Sequence, residues 1–135
     1  MSQQVLQPAG WARPRGYANG IATSGRQVYV AGQIGWDAEC RFVGDSFASQ
    51  VRQALSNIVA ILAEAGGRPE HLVRLTWYIT SREEYLAEIA EVGAAYRDVI
   101  GRHYPVMSVV QVAALIEARA KVEIEATAVI PVPND

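Results

Sequence analysis

The sequence predicts an α+β fold, a single domain of two helices packed on one face of a mixed β-sheet, and three observations carry that reading. Two stretches place apolar residues at helical steps. Five others read as strands, four of them bounded by turn residues. Helical and extended stretches follow one another as β-β-α-β-α-β-β, with no internal repeat. At 135 residues the chain fits one domain, read as an irregular arm over residues 1–16 and a folded unit over residues 17–131.

The arm is rich in Gln, Pro, Gly and Arg and has no regular period. Residues 17–22 then read as a short strand, closed by a turn at Ser24-Gly25. Residues 27–34 (QVYVAGQI) form a stronger one, in which Gly32 marks a place where something needs the space of a side chain. Residues 35–44 read as a loop. Asp45 or Ser46 can cap the first helix, whose Phe47, Val51, Leu55, Ile58 and Leu62 share one face; Gly66-Gly67 end it. Residues 72–80 alternate as a half-buried strand. Ser81-Arg-Glu-Glu84 resembles a capping box, followed by one helix carrying Tyr85, Ile89, Val92, Tyr96 and Val99 and bounded by Gly101 and Pro105. Residues 106–114 are almost continuously apolar, which predicts a strand covered on both faces. Residues 121–130 (KVEIEATAVI) alternate again.

Composition narrows the function. Half of the residues are hydrophobic and 19% are charged, which suits a folded globule and not a disordered chain. A net charge of −2 gives no bulk field for nucleic acid, so none is expected as a partner. Cys40 is the only cysteine, residues 1–10 lack a basic, apolar leader, and no window approaches the roughly 20 apolar residues of a membrane span. The expectation is a cytoplasmic protein that does not meet a membrane. His71 and His103 have no partners at metal-ligand spacing, and neither a P-loop, a G-x-G-x-x-G nor a G-x-S-x-G motif is present, so no metal or cofactor is expected.

The element order, the "VAGQI" strand at residues 30–34, "QVRQALSNIVAILAEAG" at residues 50–66 and "KVEIEATAV" at residues 121–129 together resemble the RidA/YjgF family over residues 17–130. Members have been described as endoribonucleases or translation inhibitors. The activity the resemblance implies is hydrolysis of reactive enamines and imines, such as 2-aminoacrylate, to a keto acid and ammonia. It also implies a homotrimer with pockets at subunit interfaces. On that resemblance Glu123 matches the acid that positions water, and Tyr17 and Gly32 match pocket-lining positions. The family's carboxylate-binding arginine, in a P-x-R pattern, is replaced by Met107. Ala31 stands for a pocket serine, the expected asparagine of the second helix falls near Ala90, and Val109 replaces a cysteine or small polar residue.

A guanidinium holds a carboxylate by paired, charge-assisted hydrogen bonds worth roughly 1.5–3 kcal/mol each, and methionine offers none of them. The expected activity is therefore an enamine or imine hydrolase of altered specificity, acting on a substrate more apolar than 2-aminoacrylate or with its carboxylate elsewhere. The alternative is a non-catalytic trimer that binds a small metabolite in the same pocket. Gln111, on the strand face of Met107 and Val109, and Trp36, in a glycine-flanked loop, are further candidates for the pocket. Glu123 could equally be an outward-facing acid paired with Lys121 or an arginine, and Gln111 a group serving only a subunit contact. Arg13, Arg15 and Arg119 are open candidates to stand in for the missing arginine, with a solvated arm the duller reading for the first two.

Overall fold

A computed structural model describes residues 3–133. The strands are β1 (Gln4–Leu6), β2 (Gly20–Ala22), β3 (Arg26–Gln33), β4 (Leu72–Ile79), β5 (Val106–Gln111) and β6 (Val122–Ile130); the helices are α1 (Phe47–Ala63), α2 (Arg82–Ala87) and α3 (Ile89–Val99). The main sheet runs β3-β6-β4-β5. Its β3–β6 and β6–β4 pairs are antiparallel and its β4–β5 pair is parallel. β6 thus lies between β3 and β4, and α1 and the α2–α3 pair are crossovers between parallel strands.

All three helices lie on one face. Val122, Ile124, Ala126 and Ala128 of β6 are buried there with Leu75, Trp77 and Ile79 of β4 and with Phe47, Val51, Leu55, Ile58 and Leu62 of α1. Ser46 caps α1 by accepting from the Ser49 amide, and Gly66, in the left-handed region at φ +78°, ends it. Gln50 is the one buried polar residue among the described residues. Its amide nitrogen donates to the carbonyls of Gly44 (3.2 Å) and Arg119 (3.0 Å), and its oxygen accepts from the Lys121 amide at 2.8 Å. One side chain thereby holds two loop ends together with its polar atoms satisfied.

Three sequence expectations need correction. The arm is not wholly irregular: β1 pairs with β2 as a small second sheet, too short to show a period. Residues 1 and 2 of that arm lie outside the described residues. The expected second helix is two helices, broken at Glu88 (φ −107°, ψ 21°). The Glu88 carboxylate accepts from the Ala48 amide at 3.1 Å, supplying α1 with a second N-terminal cap and negative charge at its positive end. The strand expected to be covered on both faces is instead the edge strand β5, six residues long, with Val109 and Val110 exposed. Its apolar run is the mark of a surface that one chain alone leaves uncovered.

Candidate functional site

Strand register sorts the candidate residues onto two faces. Glu123 pairs with Tyr78, and both project from the face without helices. A Cβ built on Gly32 would overlap the Glu123 carboxylate, lying 2.7 Å from its Cδ. The space that Gly32 leaves is therefore filled by Glu123. Ala31 lies exposed beside it. Lys121 is not the partner of Glu123, because its Nζ pairs with Glu84 at 2.9 Å. Among the described residues Glu123 has no hydrogen bond or ion pair of its own, whereas the adjacent Glu125 accepts from the Tyr78 hydroxyl at 2.7 Å. That bond, then desolvation, raises the Tyr78 pKa above its ordinary value, so the phenol remains a donor.

Met107 and Val109 project the other way. Their partners are Leu75 and Trp77, on the helix face. Together with Trp77, Tyr85 and Tyr104 they wall a cavity of about 400 Å3, closed on the far side by α3 through Ile89, Gly93 and Arg97. The aromatic walls are packed edge to face (Trp77 and Tyr85, 6.5 Å) and in parallel (Tyr96 and Tyr104, 5.5 Å). Burial raises the pKa of both Tyr85 and Tyr96, and the Tyr96 hydroxyl donates to the His103 carbonyl at 2.6 Å. Trp77 is almost fully buried, yet its indole N–H meets no acceptor among the described residues. Ala90, the position matched to the family asparagine, is exposed, and Ile89 is the neighbour that reaches the cavity.

The arm completes the rim. Arg15 and Gly16 line the same cavity as Met107. Gly16 takes φ +78°, and the chain beyond it carries Tyr17 and Asn19 into a separate depression with Arg74, Thr76 and Ser108. Ala18 bridges to Val106 and its amide donates to the Pro105 carbonyl at 3.1 Å, pinning the arm to the start of β5. Beyond that bridge, the outer edge of β5 has no strand partner among the described residues.

The remaining candidates have other occupations. Gln111 shares the strand face of Met107 and Val109, but its side-chain oxygen accepts from the Arg82 amide at 2.7 Å, which caps α2. Trp36 packs against Phe42 at 5.9 Å in the loop after β3. Arg119 is paired with Asp45 at 2.7 Å and lies 5.0 Å over the Phe42 ring. Arg13 borders a different depression, with Arg102 and His103. Of the three arginines left open by the sequence, only Arg15 reaches the cavity of Met107. The sequence reading missed Gly93 and Arg97. The signal was available: Ile89, Gly93 and Arg97 fall at steps of four, and a glycine inside a helix costs about 1 kcal/mol relative to alanine.

One chain therefore holds the candidate residues in two separate places, Glu123 over Gly32 on the open face and the Met107 cavity on the helix face. Among the described residues no group of three or more His, Cys, Asp or Glu side chains is placed to hold a metal ion, and no helix is long and apolar enough to cross a membrane.

Comparison with known proteins agrees with this architecture. Residues 11–130 match the family model described as Endoribonuclease L-PSP. A 2-iminobutanoate/2-iminopropanoate deaminase of Salmonella typhimurium is 34% identical over 116 residues, covering 84% of this chain and 86% of that protein. Among solved structures, the Rid-family protein YyfB of Yersinia pestis, of unknown function, superposes with a TM-score of 0.82 at 32% identity, covering 96% of this chain and 100% of that one. The YjgF gene product of E. coli superposes with a TM-score of 0.66 at 33% identity, covering 84% and 87%. The fold, the span of the match and these relatives together place the chain in the RidA/YjgF family, the one described as Endoribonuclease L-PSP.

Proposed function

We propose that this chain is an imine hydrolase whose specificity differs from that of its named relatives. The observation that carries the reading is Glu123: an accessible carboxylate with no partner among the described residues, seated where only a glycine leaves room for it. In the proposed reaction an enamine first tautomerises to the imine. Water adds to the C=N carbon as Glu123 takes one of its protons and passes it to the nitrogen, giving a neutral carbinolamine. Glu123 then takes the hydroxyl proton and delivers it to the nitrogen as the C–N bond breaks, so that ammonia leaves and a carbonyl remains. The relatives named as 2-iminobutanoate/2-iminopropanoate deaminases support this chemistry. Met107 and Val109 are the reason to expect a different substrate, because neither can grip a carboxylate beside the reacting carbon.

These two places are half-sites that belong together in an oligomer. Glu123 and Gly32 of one copy would face the Met107 cavity of the next, with the uncovered β5 edge and its free backbone groups at the contact. A homotrimer is the assembly we propose, and a monomeric mass in light scattering would refute it. No cofactor, nucleic acid or membrane enters the scheme. The unpaired, exposed Cys40 suits a reducing, cytoplasmic setting.

The test is ammonia release from freshly generated imines of graded size. Glu123→Gln should lower turnover about 10²- to 10⁴-fold, the range of general-base catalysis, with melting unchanged. Wild-type rates in that variant would remove Glu123 from the mechanism. If the native chain turns over no imine yet is thermally stabilised by the corresponding carbonyl compounds, the non-catalytic binding trimer becomes the better description.

A further inference from the structure

We infer that Arg15 and Arg97, one from the arm and one from α3, form an anion-recognition pair at the rim of the Met107 cavity, and that the substrate carries a negative group separated by an apolar, ring-sized body from its reacting carbon. The inference deepens the hydrolase reading above and rests on it for the identity of the reacting group.

Both guanidiniums line the one cavity, and among the described residues neither has a carboxylate partner or a hydrogen bond. Arg41, Arg52, Arg68 and Arg119 are engaged in ion pairs; among the described residues Arg13, Arg74, Arg82 and Arg102 are not, but only Arg15 and Arg97 share this cavity. Arg97 is folded back along α3, its Nη1 only 3.2 Å from where a Cβ of residue 93 would stand. Gly93 therefore keeps the helix wall low enough for that guanidinium to lie over it. The strand wall opposite offers Trp77, Met107 and Val109, which are apolar apart from the unsatisfied indole N–H. Arg97 on α3 thus faces an apolar strand wall, and Arg15 enters the same cavity from the arm. The volume of about 400 Å3 falls in the range that accepts ring-bearing small molecules, and the aromatic lining suits a planar body.

The experiment uses the intact oligomer and two probes that differ only in charge, 4-acetylbenzoate and its methyl ester, with binding followed by calorimetry. The native protein should bind the acid about tenfold tighter than the ester, a modest factor because both arginines are exposed. That preference should shrink with added salt and vanish in the Arg15→Gln/Arg97→Gln double variant, while ester binding is unchanged. Equal affinity for the two probes, or a preference that survives in the double variant, overturns the assignment. Turnover of the two matching imines separates this idea from its parent. Selective binding of the acid without any turnover keeps the anion pair and defeats the hydrolase. Equal turnover of both imines keeps the hydrolase and defeats the anion pair.

Discussion

β6 presents two different surfaces through alternate residues. Val122, Ile124, Ala126 and Ala128 are buried beneath the helices, while Glu123, Glu125 and Thr127 remain accessible on a face that no helix covers. On the first face each side chain is fixed by packing, and its identity matters through volume. On the second, identity matters through what the group can accept, donate or meet. Adjacent positions on one strand are thus free to serve stability and, in the proposed reaction, chemistry separately, because a strand's side-chain period of two keeps them on opposite faces.

That separation can be attacked at its weakest joint, Gly32. A methyl group there meets the flexible end of the Glu123 side chain first, so Gly32→Ala should cut turnover by about 10²-fold or more with the melting temperature nearly unchanged. Loss of folding in this variant would mean that the open face is as tightly constrained as the core. The converse substitution is next in size. Ile124→Ala, one residue from Glu123 and fully buried, should cost about 3 kcal/mol in denaturant unfolding, by lost burial and a residual cavity. Its remaining folded fraction should turn over substrate at the native rate. If specific activity per folded molecule falls instead, the two faces are coupled.

The smallest effect lies in the loop after β3. Asp37 accepts from the amides of Arg41 (3.0 Å) and Glu39 (2.9 Å), and these bonds, the Arg41 one first, hold its carboxyl below the ordinary value. A depressed pKa means the turn is fully supported above the ordinary carboxylate range and loses that support as pH falls through the lowered value. Acidification should therefore shift the Glu39 and Arg41 amide resonances while those of Leu75 and Trp77, buried in the acid-free strand β4, stay fixed. Concerted movement of both sets would show that loop and sheet respond as one unit.

The helix face was legible in the sequence because burial leaves a period: the α1 stripe and the β6 alternation predicted which residues are buried. The break at Glu88 left no such trace, since Tyr85, Ile89 and Val92 keep helical spacing across it. It depends on a carboxylate reaching an amide forty positions away in the chain. The apolar run of β5 is legible as a strand, but within this chain it is an edge with Val109 and Val110 exposed, because one chain's sequence does not say which neighbour does the covering. Glu123 and Gly32 were singled out through resemblance, and their contact across two strands emerged only from register. Gln111 and Trp36 show the opposite case. Residues suited to a pocket by type were claimed by α2 and by Phe42.

The position of β6 in the sheet also fixes an order of events. It is the last strand in sequence among the described residues, yet it lies between β3 and β4. Within the main sheet β3 has no other partner, so its backbone hydrogen bonds in that sheet must wait until residue 122 and beyond are present. β4 and β5 can pair earlier, through the short crossover of α2 and α3. Closing β3 to β6 joins positions about a hundred residues apart, the kind of distant contact that slows folding. On the ribosome, then, Gly32 is made well before Glu123, and the place reserved for the carboxylate stays empty until residue 123 has emerged.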